Sequence, residues 1–247
     1  MRSLLPGNSK VNMGYKFFLD FDGTITKEDL IDRVLEEFAD PPWMDREQSW
    51  VRGEIGSRDC LAMQTKLIKA KVRDLLDFLE SIHIDETFVD FAKYCRDKAI
   101  KIVILSDGID LFIKSILDRY GLNGIRVYSN SLGCTNGSYE MHFPYFRKDC
   151  LSRSGICKCK IMEELSNSSS INILVGDGRS DFCVARKADL TFAKSDLLDF
   201  CRVEKIPHIE HREFGDIIVW LRNQIGQERF VSHRAFIRHG LRGTRNG

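Results

Sequence analysis

Four aspartates stand in two pairs at places where the chain could bring them to one point. Asp20 and Asp22 flank Phe21 in the run DFDGT, and Asp177 and Asp181 bracket GRS in VGDGRSD. At the end of a strand, residues i and i+2 leave on the same side, so Asp20 and Asp22 can reach one site. Converging carboxylates repel one another unless a cation lies among them, and a hard divalent ion that prefers oxygen ligands, Mg²⁺, meets that need. A third segment, ILSDG at 104–108, adds the hydroxyl of Ser106 and a turn through Asp107 and Gly108 whose free N–H groups suit phosphate oxygens. A lysine would complete an anion site, and the run CKCK offers Lys158 and Lys160.

These residues need a frame that delivers them to one edge. KFFLDF at 16–21 is a short apolar run ending in acids and a glycine turn, which reads as a buried strand. IKIVIL and INILVGD read the same way, and ligands of an open parallel sheet bind beyond the carboxyl ends of its strands. Between the first two strands lie about 75 residues of helical spacing, including LIDRVLEEF (30–38), CLAMQTKLIKAKV (60–72) and DLLDFLESI (74–82). FVDFAKYCRDKA, IDLFIKSILDRY, KIMEEL (160–165) and SDFCVARKA (180–188) then alternate as helices with the strands, including VYSN, and βαβ order implies a parallel sheet. Residues 133–157 are irregular and suit a hairpin or flap, while LTFA (190–193) suits an edge strand and FGDIIVWLRNQI (214–225) a closing helix.

DFDGT, ILSDG, a lysine opening a helix, and VGDGRSD resemble, in order and spacing, the four motifs of the haloacid dehalogenase superfamily. The resemblance implies an α/β fold: a Rossmannoid three-layer core with a parallel sheet, at 14–26 and 96–226, with a helical type 1 cap at 27–95 inserted between the first and second motifs (subclass IB). It also implies roles. Asp20 would be a nucleophile that takes a phosphoryl group, and Asp22 the general acid and then base. Asp20, the backbone carbonyl of Asp22, and Asp177 would hold Mg²⁺. Ser106, Asp107 and the motif lysine would bind the phosphoryl oxygens. Gly23 would give the backbone room beside the phosphate, Thr24 and Gly178 would support the loops, and Asp181 would orient the lysine or a metal-bound water. The family pattern of a lysine followed after two residues by an apolar pair favours Lys158 over Lys160.

The expected activity is hydrolysis of a small phosphorylated metabolite. DFDGTIT, PPWM (41–44), FVDF (88–91) and the Cys-rich approach to GICK resemble the 2-hydroxy-3-keto-5-methylthiopentenyl-1-phosphate phosphatases of methionine salvage. CKCKIM and VGDGRSDFC also resemble phosphocholine/phosphoethanolamine phosphatases, which usually have Glu where Gly23 stands. Phosphoserine phosphatase is a further alternative: Asp29, nine residues after the nucleophile, could meet a substrate amine, or could serve the dipole of a helix start. Arg46 and Arg52 could hold a substrate carboxylate. A phosphotransferase would pass the same acyl phosphate to an alcohol.

The bulk properties narrow the setting. The 247 residues are 43% hydrophobic and 30% charged, as in a globular domain. The longest apolar runs fall far short of the ~20 residues of a membrane span, so no membrane partner is expected. Residues 1–13 read as a disordered extension without an export signal, and the eight cysteines as reduced thiols in a cytoplasmic monomer or homodimer. Cysteines 134, 150, 157 and 159 lack tight CxxC pairs, so plain thiols are favoured over zinc; His208 and His211 read as edge residues. Net charge is +1, but five arginines at 229–245 leave 32 basic against 36 acidic residues in 1–228. That tail, 227–247, is the one feature suited to nucleic acid, which is not the expected partner.

Overall fold

A computed structural model describes residues 14–150 and 152–226. The anticipated N-terminal extension and basic tail lie outside the described residues. β1 (Gly14–Leu19) runs through the middle of a seven-stranded sheet. Its residues alternate faces, as a pleated strand must: Phe17 and Leu19 enter one apolar layer and Phe18 the other, all fully buried. β2 (Lys101–Ile109) pairs with β1 on one side and β5 (Ser170–Gly176) on the other, both parallel. β3 (Arg126–Thr135) extends the β2 side, and β6 (Leu190–Ala193) and β7 (His208–Glu210) extend the β5 side. The chain leaves β1 for one side of the sheet and later returns to the other. The crevice of an open sheet forms at such a point.

Strands hydrophobic on both faces need cover on both. α5 (Thr87–Asp97), α6 (Asp110–Arg119) and α10 (Phe214–Gly226) cover one face, where Phe91 meets Phe17 edge-on and Phe88 and Phe91 pack on Phe214. α7 (Lys158–Leu165), α8 (Phe182–Ala185) and α9 (Ser195–Glu204) cover the other through Met162, Val184 and Leu197. Between β1 and α5 come α1 (Leu30–Phe38), α2 (Trp43–Val51), α3 (Ser57–Gln64) and α4 (Val72–Leu79).

The irregular stretch after 133 contains a hairpin. β4 (Ser138–His142) pairs antiparallel with β3 across Asn136-Gly137, both with positive φ, as a two-residue turn of this kind requires. Four expectations need correction. LTFA is not an edge strand, because β7 pairs beyond it; three residues after a proline give too short an apolar signal to be seen. The helix expected over 180–188 is only α8 preceded by one 3₁₀ turn, and the run 60–72 stops being helical after residue 67. The thiols are not all free: Cys159 and Cys183 form a disulfide, with Cα atoms 6.5 Å apart.

His211 is 2% exposed among Phe192, Phe214 and neighbouring groups, and neither ring nitrogen has a partner. Burial, then Lys194, pushes its pKa down to about 4. An unfolded histidine binds its proton near pH 6.5, so between about 6.5 and 4 the unfolded chain holds a proton that the folded chain refuses, and stability falls with pH. The expected loss approaches about 3 kcal/mol at the acid end. Urea unfolding of wild type and His211→Phe at pH 7 and pH 5 measures it: the variant should lose less on acidification, and equal losses would contradict the assignment.

Candidate active site

β1 ends at Leu19, and the next residue, Asp20, is fixed by a bond from its own N–H to the Val175 carbonyl of β5 (2.9 Å). The carboxylate is 6% exposed and accepts from the Phe21 N–H (2.8 Å). Lys158, the first residue of α7 and 4% exposed, points its ammonium into the same space. It donates to Asp20 Oδ1 (2.9 Å), Asp181 Oδ1 (2.8 Å) and Ser180 Oγ (2.9 Å), which uses all three of its protons. Burial alone would lower the Lys158 pKa; the carboxylates of Asp181 and Asp20 outweigh it and raise the pKa instead. Lys160 is half-exposed and faces Glu163.

Asp177 follows β5 and accepts from Thr24 Oγ1 (2.8 Å). Burial, then Asp20, pushes its pKa up to about 6. Asp181 is fully buried and held well above the usual carboxylate range by burial and by Asp20, against the pull of Lys158. Oxygens of Asp20, Asp177 and Asp181 lie within 4.8 Å of one another, the one such group of potential ligands found among the described residues. Asp181 Oδ2 has no hydrogen-bond partner although buried. Three crowded carboxylates, those of Asp177 and Asp181 with raised pKa values, one ammonium and an orphan oxygen fit a divalent metal, and the all-oxygen donor set suits a hard ion.

Glycines make room for this crowding. Gly23 has φ +67°, and a Cβ there would collide with Asp177 Oδ2. A Cβ on Gly108 would lie 2.6 Å from Asp22 Oδ2. Asp22 accepts from the Leu30 N–H (3.0 Å) and from Ser106 Oγ (3.2 Å), and its pKa is raised well above normal by burial, Asp29 and Asp20. Ser106 itself is fully buried and accepts from the Gly108 N–H (2.9 Å).

Asp20, Asp22, Gly108 and Asp177 floor a cavity of about 380 Å³, roofed by α1, α2 and α3, with Lys158, Asp181 and Ser106 buried outside its lining. Asp107 ties roof to floor, its carboxylate accepting from Ser57 of α3, from the Ile156 N–H (3.1 Å) and from Asn130 (3.2 Å). Arg153 donates to the Gly53 carbonyl and Arg179 to that of Val51, both at 2.9 Å. Asp29 lines the cavity and is also the N-cap of α1, accepting from Ile31 and Asp32 N–H groups. Gly178 lines it too. The two arginines expected to meet a carboxylate do not line it: Arg46 is exposed, and Arg52 is exposed and paired with Glu54 (2.6 Å). Sequence reasoning missed Ser180, Asp32, Glu47, Trp50 and Arg179 in the lining. Ser180 lies inside VGDGRSD and could have been named; the acids of α1 and α2 look like ordinary solvated helix residues. No Cys or His cluster suited to a metal occurs among the described residues.

The sheet topology, with a buried aspartate–lysine–aspartate centre at the switch point, is that of the haloacid dehalogenase hydrolase fold. Residues 16–198 match the profile of the family described as "Putative Phosphatase", and the chain belongs to that family. Two relatives are called 2-hydroxy-3-keto-5-methylthiopentenyl-1-phosphate phosphatase. That of Brevibacillus brevis is 30% identical over 214 residues, covering 85% of this chain and 96% of its own. That of Geobacillus thermodenitrificans is 28% identical, covering 81% and 92%. Among solved structures, a phospho-aspartyl intermediate analogue of phosphoserine phosphatase shares the fold with a TM-score of 0.64 at 19% identity, covering 84% of this chain and 99% of that one. No helix among the described residues is long and apolar enough to cross a membrane.

Proposed function

We propose that the chain is a magnesium-dependent phosphatase of a small metabolite, acting through a phosphorylated Asp20. The observation that carries this reading is the placement of Lys158 on both Asp20 and Asp181, with Ser106 and Asp22 across the same crevice. Asp20 attacks phosphorus and releases the alcohol. Asp22, whose pKa is raised by burial and by its neighbours Asp29 and Asp20, gives its proton to the leaving oxygen and then takes one from the attacking water. Lys158 and Ser106, bonded here to Asp20 and Asp22, would turn to the phosphoryl oxygens, where most of the barrier lowering is electrostatic. Asp20, Asp177 and the Asp22 carbonyl, with Asp181 behind them, would hold Mg²⁺, which when bound offsets the negative charge of the carboxylates and the phosphoryl group. The helices over 27–95 act as the cap; the last of them, α5, packs on the sheet. Mg²⁺-dependent release of phosphate from p-nitrophenyl phosphate tests the reading, and no release at any Mg²⁺ concentration would overturn it.

The likeness along nearly the whole length of the salvage-enzyme relatives supports 2-hydroxy-3-keto-5-methylthiopentenyl-1-phosphate as the substrate. The roof favours a second reading. Burial, then Asp20 and Glu47, pushes the Asp29 pKa up to about 6, and burial, then Asp29 and Glu47, pushes that of Asp32 up to about 7; Trp50 lines the same cavity. An acid cluster short of a cation suits a substrate ammonium, which points to phosphoethanolamine or phosphocholine. Arg46 and Arg52 are not in the lining, and Arg179, which is, already bonds the Val51 carbonyl and lies over Trp50, so a substrate carboxylate has less to meet, which disfavours phosphoserine. Under this reading Asp32→Asn and Glu47→Gln should each raise KM for phosphoethanolamine about tenfold and leave KM for p-nitrophenyl phosphate unchanged. Equal effects on both substrates would remove the amine reading and leave the salvage substrate.

A further inference from the structure

The chemistry proposed above leaves one feature beside the catalytic centre unused. Cys159 is the second residue of α7, directly after Lys158, and Cys183 is the second residue of α8, two positions after Asp181. Their disulfide closes a loop of 24 positions that contains β5, Asp177, Ser180 and Asp181. It therefore clamps the helix that delivers the lysine to the turn that delivers its carboxylate partners. Both cysteines are half-buried, so a small thiol can reach them, whereas Cys60, Cys95 and Cys201 are buried free thiols.

We infer that Cys159 and Cys183 are a reversible thiol–disulfide site that sets the working geometry of the Lys158–Asp181–Asp20 centre. The physical basis is the repulsion stored in that centre: Asp20, Asp177 and Asp181 crowd within 4.8 Å around one ammonium, and the α7–α8 clamp opposes their separation. Without the clamp, α8 and the turn before it are held by their packing and by the Lys158 bonds to Asp181 and Ser180, and the repulsion from Asp20 and Asp177 can draw Asp181 away from Lys158. Closing the site oxidises two thiols. The cysteines give up two protons and two electrons to a disulfide of the glutathione class, which leaves as two thiols while the Cys159–Cys183 bond forms. Opening it runs the exchange backwards. Cys150 and Cys157, buried thiols that face one another just before α7, are the nearest alternative pair.

The inference rests on the phosphatase reading for its activity measurement, but not for its existence. The full chain is equilibrated in glutathione buffers from fully reducing to fully oxidising. Three quantities are followed: the mass of the alkylated Cys159 and Cys183 peptides, the melting temperature, and the rate on p-nitrophenyl phosphate with Mg²⁺ titrated. As the disulfide opens, the melting temperature should fall by roughly 5–10 °C and the Mg²⁺ needed for half-maximal rate should rise roughly tenfold. Cys159→Ser and Cys183→Ser should sit at the reduced wild-type values in every buffer. A disulfide that never forms, or wild-type melting and rate that stay flat while it opens, would overturn the inference. So would serine variants that still respond to the buffer, which would move the effect to Cys150 and Cys157. If neither form hydrolyses the phosphate ester, the phosphatase reading fails, and the peptide masses and melting curves still decide whether this site exists.

Discussion

Asn at position 20 is expected to lower phosphatase turnover by about 10⁴-fold or more while the fold survives. An amide carbonyl is a far weaker nucleophile for phosphorus than a carboxylate, and the nearest acids are otherwise engaged: Asp177 accepts from Thr24, and burial with Asp29 and Asp20 holds the Asp22 pKa well above the usual carboxylate range. The fold should survive because two effects oppose. Lys158 loses one of its two anionic partners, but keeps Asp181 at 2.8 Å. Asp177 and Asp181 lose a repelling neighbour, which relieves their raised pKa values. Steady-state rates with p-nitrophenyl phosphate, set beside circular-dichroism melting curves, check both halves. Turnover within tenfold of wild type would contradict the assignment of Asp20.

Lys158→Met is expected to cost both activity and stability. The rate should fall about 10³-fold, the scale seen when a fixed charge-stabilising donor is removed from a transition state. Stability at neutral pH should fall by about 3–5 kcal/mol, because one partner of a buried ionic cluster has been taken away. The pH dependence distinguishes this from a packing defect. Asp181 in the variant is a buried acid with no cation, so its folded pKa lies even further above the unfolded value near 3.9. A group shifted upward stabilises the fold below its unfolded pKa, and that contribution is lost as pH rises through the folded pKa. The variant should therefore recover stability on acidification. Adding Asp181→Asn should restore much of the stability at neutral pH and none of the rate. Denaturant unfolding at pH 5 and 7.5 on the single and double variants measures this; a pH-independent loss would point to packing instead. Lys158→Arg, if the single Met variant does not fold, keeps the charge and should retain the pH profile while losing rate.

The centre was legible in the sequence because its chemistry is written as unusual residues at apolar strand ends. Asp20, Ser106 and Asp177 each follow a run such as FFL, IVIL or INILV, and a strand that apolar has to be interior to a sheet. Lys158 could be told from Lys160 only through the family pattern, since both stand at the start of one helix. The roof was not legible. Asp32 and Glu47 have the look of solvated helix acids, and only folding turns them toward a common cavity; Arg46 and Arg52, chosen on charge alone, stay outside it. Asp29 illustrates why the two readings offered for it are not exclusive, as it caps α1 and lines the cavity at once. β7 escaped notice because three residues carry no periodicity; α9 was missed although Leu197, Leu198 and Cys201 stand at helical spacing. The Cys159–Cys183 pair joins positions whose proximity depends on α7 and α8 lying side by side, which spacing in the chain does not encode.

The covalent intermediate is the central claim, and it can be caught. Enzyme mixed with p-nitrophenyl phosphate and Mg²⁺, quenched in acid within the first turnover and reduced with borohydride, converts an aspartyl phosphate to homoserine. Mass spectrometry of the peptide spanning DFDGT should then place homoserine at Asp20 in the wild type and show none in Asp20→Asn. Homoserine at Asp22, Asp177 or Asp181, or an unmodified Asp20 while phosphate is being released, would contradict the account.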